Sequence, residues 1–137
     1  MSAPLLLRIA SVLAAIQGLA HGALFITAKP RNGPAEEAVV NAMKTTRVMR
    51  GGLGYWDFYY GYGLVAAAVC ILEAVLFWQL VAVARTSPAL ARPIIALFIV
   101  WNVAHALLLV RYFKFPIPIA FDVMIAVALA LAFAAAR

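Results

Sequence analysis

The chain carries almost none of the charge that a water-solvated fold displays. Only 12% of its 137 residues are Asp, Glu, Lys or Arg, and only five are acidic. Hydrophobic residues make up 67%, against roughly 45–50% in an ordinary soluble chain. A soluble fold of this size could not hide that much apolar surface, so the expected solvent is lipid. A single cysteine, Cys70, excludes an intrachain disulfide. Within an apolar run it reads as a small buried hydrophobe. Walker loop, zinc-ligand spacing, dinucleotide-binding glycine pattern and serine nucleophile elbow are all missing. "GGLG" at 51–54 lacks the lysine and the strand that a phosphate loop needs. Nothing therefore points to ATP-driven chemistry or to nicotinamide or flavin cofactors.

The net charge of +6 does not suggest nucleic acid, because no basic run is dense enough for that. The Lys and Arg residues stand between the apolar runs, where anionic headgroups would meet them. The N-terminal stretch after Arg8 could pass for a signal peptide. However, it runs uncharged from Ile9 to Ala28, which is spanning length, and is read as a retained first helix.

A bilayer core of about 30 Å needs about 20 helical residues. Four segments satisfy this, at about residues 5–28, 56–84, 93–113 and 117–136. The expected fold is all-α, a single domain over 1–137: an antiparallel four-transmembrane-helix bundle. A short amphipathic helix is expected between helices 1 and 2, in "AEEAVVNAMKTTRVMR". It puts Ala38, Val39, Ala42, Met43 and Thr46 at helical spacing, suited to the membrane surface. Glu36 and Glu37 fall in its first turn and Arg47 and Arg50 in its last, as the helix dipole prefers, with Gly51 and Gly52 ending it. "RTSPALAR" and "RYFKFPIP" form the short second and third connections, Pro116 and Pro118 forcing the latter reversal. Gly18 and Gly22 form a small-xxx-small pair for close packing. More basic residues (Lys29, Arg31, Lys44, Arg47, Arg50, Arg111, Lys114) flank the first and third connections than the opposite side (Arg8, Arg85, Arg92, Arg137). The positive-inside rule thus leans toward the former side being cytoplasmic.

Ionisable residues inside a span are expensive and mark functional candidates. Here they are His21, Asp57, Glu73, His105 and Asp122, with Gln17, Tyr60, Trp101 and Asn102 as neutral companions. From the helical rise, His21, His105 and Asp122 lie roughly 8–12 Å below one membrane face. Asp57 enters from the same face, in the first turn of helix 2. Gln17 and His21 share a helix face, as do Asn102 and His105. If these faces meet, a polar pocket opens toward that side. His21, Asp57, His105 and Asp122 are its candidate acid/base groups, and Gln17, Tyr60, Trp101 and Asn102 its candidate substrate contacts. Asp57 has an alternative role as helix cap. The aromatics around it, Tyr55 to Tyr62, suit an interfacial belt. Glu73 falls about 160° around the helix from Asp57 and is expected to face another neighbour or an oligomer interface.

The runs "HGALF" (21–25), "YWDFYYGYGL" (55–64) and "WNVAHALLLVRYF" (101–113) resemble an uncharacterised family of small bacterial four-span membrane proteins. The resemblance covers most of the chain and implies a multi-pass protein of the bacterial cytoplasmic membrane. In the style of its site alone, the chain is also similar to the emopamil-binding, sterol-isomerase-like superfamily, whose members set His and acidic residues from several spans around a lipid-accessible cavity. That likeness implies isomerase-type acid/base chemistry on a lipophile.

Three functions stay open on the sequence. The first is binding of a lipophilic small molecule from the bilayer, with His21 or His105 as acid or base, Asp57 and Asp122 orienting them, and no cofactor or metal. The second is a non-catalytic scaffold, as a homo-oligomer or a subunit of a larger membrane complex. The third is haem b ligation by His21 and His105.

Overall fold

The computed structural model describes residues 1–27, 29–30, 32–48 and 52–136. Arg31, Arg50, Gly51 and Arg137, which entered the charge and helix-end expectations, lie outside them, as does Ala28. The described chain is all-α: α1 Ala3–Ile26, α2 Pro34–Thr45, α3 Tyr55–Thr86, α4 Pro88–Leu108 continued by a π-helical turn Leu109–Phe113, and α5 Pro116–Ala135. Four of these helices are long and apolar enough to cross a membrane, and in each spanning window at most 33% of residues are buried inside the protein. The remaining apolar side chains need a non-aqueous solvent, so this is a multi-pass membrane protein.

Helix boundaries depart from the sequence expectation in three instructive places. The stretch "RTSPALAR" is helical except for Ser87, because Pro88 occupies the first turn of α4, where a missing N–H costs nothing. Pro93 lies inside α4 and the helix runs through it, as membrane helices allow. The amphipathic helix α2 stops at Thr45, earlier than expected. Thr46 is extended, and Arg47 pairs with Gly54 as an isolated antiparallel bridge while its guanidinium donates to the Gly52 carbonyl. Arg47 is therefore outside the helix, and Lys44 is the basic residue of its last turn. Pro116 and Pro118 open α5 rather than make the reversal. The reversal falls on Lys114, which adopts the left-handed conformation (φ 56°), and on extended Phe115.

The chain divides into two compact units, residues 1–17 with 70–137, and residues 18–69. Helices α1 and α3 run through both. In the first unit, the start of α1, the second half of α3, α4 and α5 share one core. It is built from Leu7, Ala10, Ala14, Phe77, Ile95, Ile125, Leu129 and Ala132, with the Phe98 ring edge-on to Phe77 at 4.9 Å. Alanines recur at the contacts, since lipid offers no hydrophobic drive and van der Waals closeness must hold the helices.

In the second unit, Gly22 of α1 packs on Ala67 of α3, where an added Cβ would make ordinary contact at 3.4 Å. Gly63 has no such room, for a Cβ there would collide with the Phe25 ring. Phe25 is itself held between His21 (4.9 Å) and Tyr59 (5.2 Å). Gly63→Ala is therefore expected to destabilise the protein by about 1–3 kcal/mol. Gly61→Ala, whose Cβ would meet nothing within 4 Å, should be neutral or stabilising by up to ~1 kcal/mol. Denaturant unfolding in detergent micelles checks both, and equal effects would contradict the packing.

Candidate functional site

The polar groups of the first unit converge on Asp122. This residue sits in the second turn of α5 and is 2% exposed. Its Oδ1 accepts a hydrogen bond from Gln17 Nε2 of α1 at 2.9 Å. Its Oδ2 lies 2.8 Å from His105 Nδ1 of α4, an ion-pair separation whose angle departs from a straight hydrogen bond. A carboxylate surrounded by apolar helices must find partners inside the protein, because lipid provides none. Three helices are thereby tied to one side chain.

His105 is the more exposed member of the pair, with 33% of its side chain accessible. The Trp101 ring stacks on it one turn earlier, 5.9 Å between centroids and nearly coplanar at 7°. Orientation of one imidazole nitrogen by a carboxylate defines the role of the other. Nδ1 is the nitrogen turned to Asp122, and Nε2 is the remaining one.

Glu73 of α3 is the second buried carboxyl group of this unit, 7% exposed. Of the two placements the sequence left open, the structure has the neighbouring helix. Trp101 of α4 donates towards the Glu73 carboxyl group, and His105 and Asp122 lie within electrostatic reach of it. Its Oε1 has no hydrogen-bond donor among the described residues. The only sequence signal for this position was an acid in mid-span, since its angular separation from Asp57 said nothing about which helix it would meet. Ser11 of α1 adds a further tie to α3, donating to the Ala74 carbonyl at 2.7 Å.

Asn102, expected as a substrate contact, donates its amide to the Phe98 carbonyl of its own helix at 3.0 Å. It nevertheless shares with Asp122 the floor of a groove between α4 and α5, of about 420 Å³. The walls are apolar, formed by residues such as Val103, Leu107, Val110, Val123 and Val127, whose outer faces are exposed. On a membrane-spanning pair of helices such a groove opens sideways to lipid.

His21, Asp57 and Tyr60 belong to the second unit. His21 packs on Phe25, and Tyr60 stacks on Trp56 at 6.3 Å. Asp57 Oδ2 accepts the Gly54 backbone N–H at 2.7 Å. An acid in the first turn reaching back to the amide just before the helix is half of a capping box. The alternative role raised for Asp57 is thus the one for which the geometry provides a partner. The adjoining Trp56 ring carries Lys44 Nζ at 5.0 Å. Among the described residues no group of three or more His, Cys, Asp or Glu side chains is arranged to hold a metal ion.

Comparisons with models of known protein families, with curated proteins and with solved structures give no match. The chemistry must therefore be argued from the geometry itself.

Two substitutions separate a cap from a network. Asp57→Asn retains an acceptor oxygen and should shift stability by less than about 1 kcal/mol. Gln17→Leu leaves Asp122 Oδ1 without its donor and should cost about 1–2 kcal/mol. Unfolding titrations in mixed micelles measure both. A larger loss for Asp57→Asn than for Gln17→Leu would reverse the assignment.

Proposed function

We propose that this membrane protein binds a lipophilic small molecule drawn from the bilayer and that His105 acts on it as a general acid or base. The observation that carries the reading is the double placement of Asp122. Its body lines the lipid-open groove while its carboxylate holds His105 Nδ1. Asp122 is thereby shared by the groove and the imidazole, and an acid or base held next to an apolar binding surface is what proton transfer to or from an apolar substrate requires. Isomerisation suits a site of this kind. The proton that the imidazole removes from one carbon returns at another, so the double bond shifts and no co-reactant is needed. Asp122 stabilises the imidazolium formed between the two steps. The stacked Trp101 walls the imidazole, and Glu73 provides a second carboxyl group nearby. The bacterial cytoplasmic membrane, implied by the family resemblance, is the setting proposed for it.

A packing role is the second reading, favoured by the Gln17–Asp122 and Ser11–Ala74 hydrogen bonds, each of which fixes α1 against another helix. Deuterium exchange separates the two. Protein purified in mild detergent is incubated in D2O, and the co-purifying organic molecule is extracted and weighed by mass spectrometry. The expected result is a stoichiometric lipophile that gains carbon-bound deuterium with the wild type and not with His105→Gln. A lipophile with equal deuterium in both would remove the catalytic part. Absence of any lipophile above the detergent background would leave the packing role. An absorption spectrum of the same sample tests haem, since a Soret band lost in His105→Gln would replace the isomerisation reading.

A further inference from the structure

The groove between α4 and α5 runs from near the connection of these two helices toward mid-span. Its lining residues follow one face of α4 from Ile99 to Val110 and one face of α5 from Ile119 to Ala130. Each face covers about 16 Å of helix. Half of a bilayer hydrocarbon core is about 15 Å. The groove is thus one leaflet deep.

Beyond its Val110 and Ile119 end come the π-helical turn and the reversal at Lys114 and Phe115, which join the two helices. Arg111 and Lys114 stand at that end, both exposed. Two basic residues elsewhere in this unit are engaged within the protein. Arg92 donates to the Ala136 carbonyl at 3.1 Å and covers the Phe133 ring at 4.2 Å, and Arg8 lies over Trp78 at 5.5 Å. Arg111, by contrast, lies over the ring of Tyr112, the next residue in the chain, at 5.5 Å. Lys114 is held out by a left-handed backbone that an L residue rarely adopts. Two exposed positive charges therefore stand at the headgroup end of an apolar groove of acyl-chain depth.

We infer that the α4–α5 groove is a binding site for one anionic phospholipid of the adjoining leaflet, an acyl chain lying in the groove and the phosphate held by Arg111 and Lys114. This rests on the lipophile-binding reading and names the class of molecule. Lys and Arg at a membrane surface attract anionic headgroups, and the apolar walls between Val110 and Ala130 have no preference of their own beyond a chain that fits. Asp122 then lies about 5 Å in from the Ile119 end of the groove, nearer the headgroup than the inner end of the chain, with Asn102 deeper.

The test is native mass spectrometry of the full chain in detergent, titrated separately with phosphatidylglycerol and phosphatidylcholine of identical acyl chains. Two variants accompany it, Arg111→Gln/Lys114→Gln, and Ala130→Phe, which fills the groove from its exposed side. The expected result is a one-to-one phosphatidylglycerol adduct about tenfold tighter than the phosphatidylcholine adduct. That preference should vanish in the charge variant, and both adducts should weaken in Ala130→Phe. Equal binding of the two lipids, still weakened by Ala130→Phe, would overturn the anionic assignment and leave lipophile binding intact. Adducts indifferent to Ala130→Phe would overturn this use of the groove and remove its support for lipophile binding. A dimer mass abolished by Ala130→Phe would assign the groove to a second copy of the chain instead.

Discussion

A carboxylate in a lipid-solvated helix has no water to lean on, and the first unit is organised around satisfying one. Asp122 draws Gln17 from α1 and His105 from α4 onto itself. Each partner fixes the height and rotation of its helix relative to α5. Around that tie the core is small and close, alanine after alanine, because helices in lipid gain from contact rather than from escape from water. The same constraint explains the side-chain-to-backbone bond from Ser11 to Ala74 and from Asn102 to Phe98. Each polar group that cannot reach another side chain closes on a carbonyl.

Asp122 has one demand that its packing role does not explain. A purely structural carboxylate would be served by two amide donors. Here one partner is an imidazole, partly exposed and stacked on a tryptophan. Glu73 adds a buried oxygen with no donor among the described residues. Incomplete satisfaction in a low-dielectric setting is costly, and it is the feature that sets this cluster apart from a helix lock. Asp122 also lines the groove between α4 and α5, whose walls carry exposed apolar side chains.

Much of the fold was legible in the residues. Four apolar stretches of spanning length and the short connections between them require an all-α membrane chain, since only helices satisfy their backbone groups within a single segment. The helix ends were less legible. Pro88 fell in an expected connection and Pro116 in an expected reversal, and both are first-turn residues, because a proline's meaning depends on whether the N–H it lacks would have been bonded. Thr46 and Arg47 continued the helical pattern of α2, yet Thr46 is extended and Arg47 enters a bridge with Gly54, which periodicity does not encode. At the site, Asp57 drew notice by its aromatic setting, and its partner proved to be the backbone amide of Gly54. Gln17 and Asp122 were candidates from the start, yet nothing local paired them across 105 residues of sequence.

Sequence by itself determined the solvent, the number of spans and the identity of the rare polar groups, because these follow from composition and length against a bilayer of fixed thickness. Tertiary structure alone decided which of those groups meet. Helix rise gives depth to within a turn, but rotation and neighbour choice depend on how small residues let one helix approach another. That choice placed His105 against Asp122, turned Glu73 inward toward Trp101, and left a groove one leaflet deep between α4 and α5.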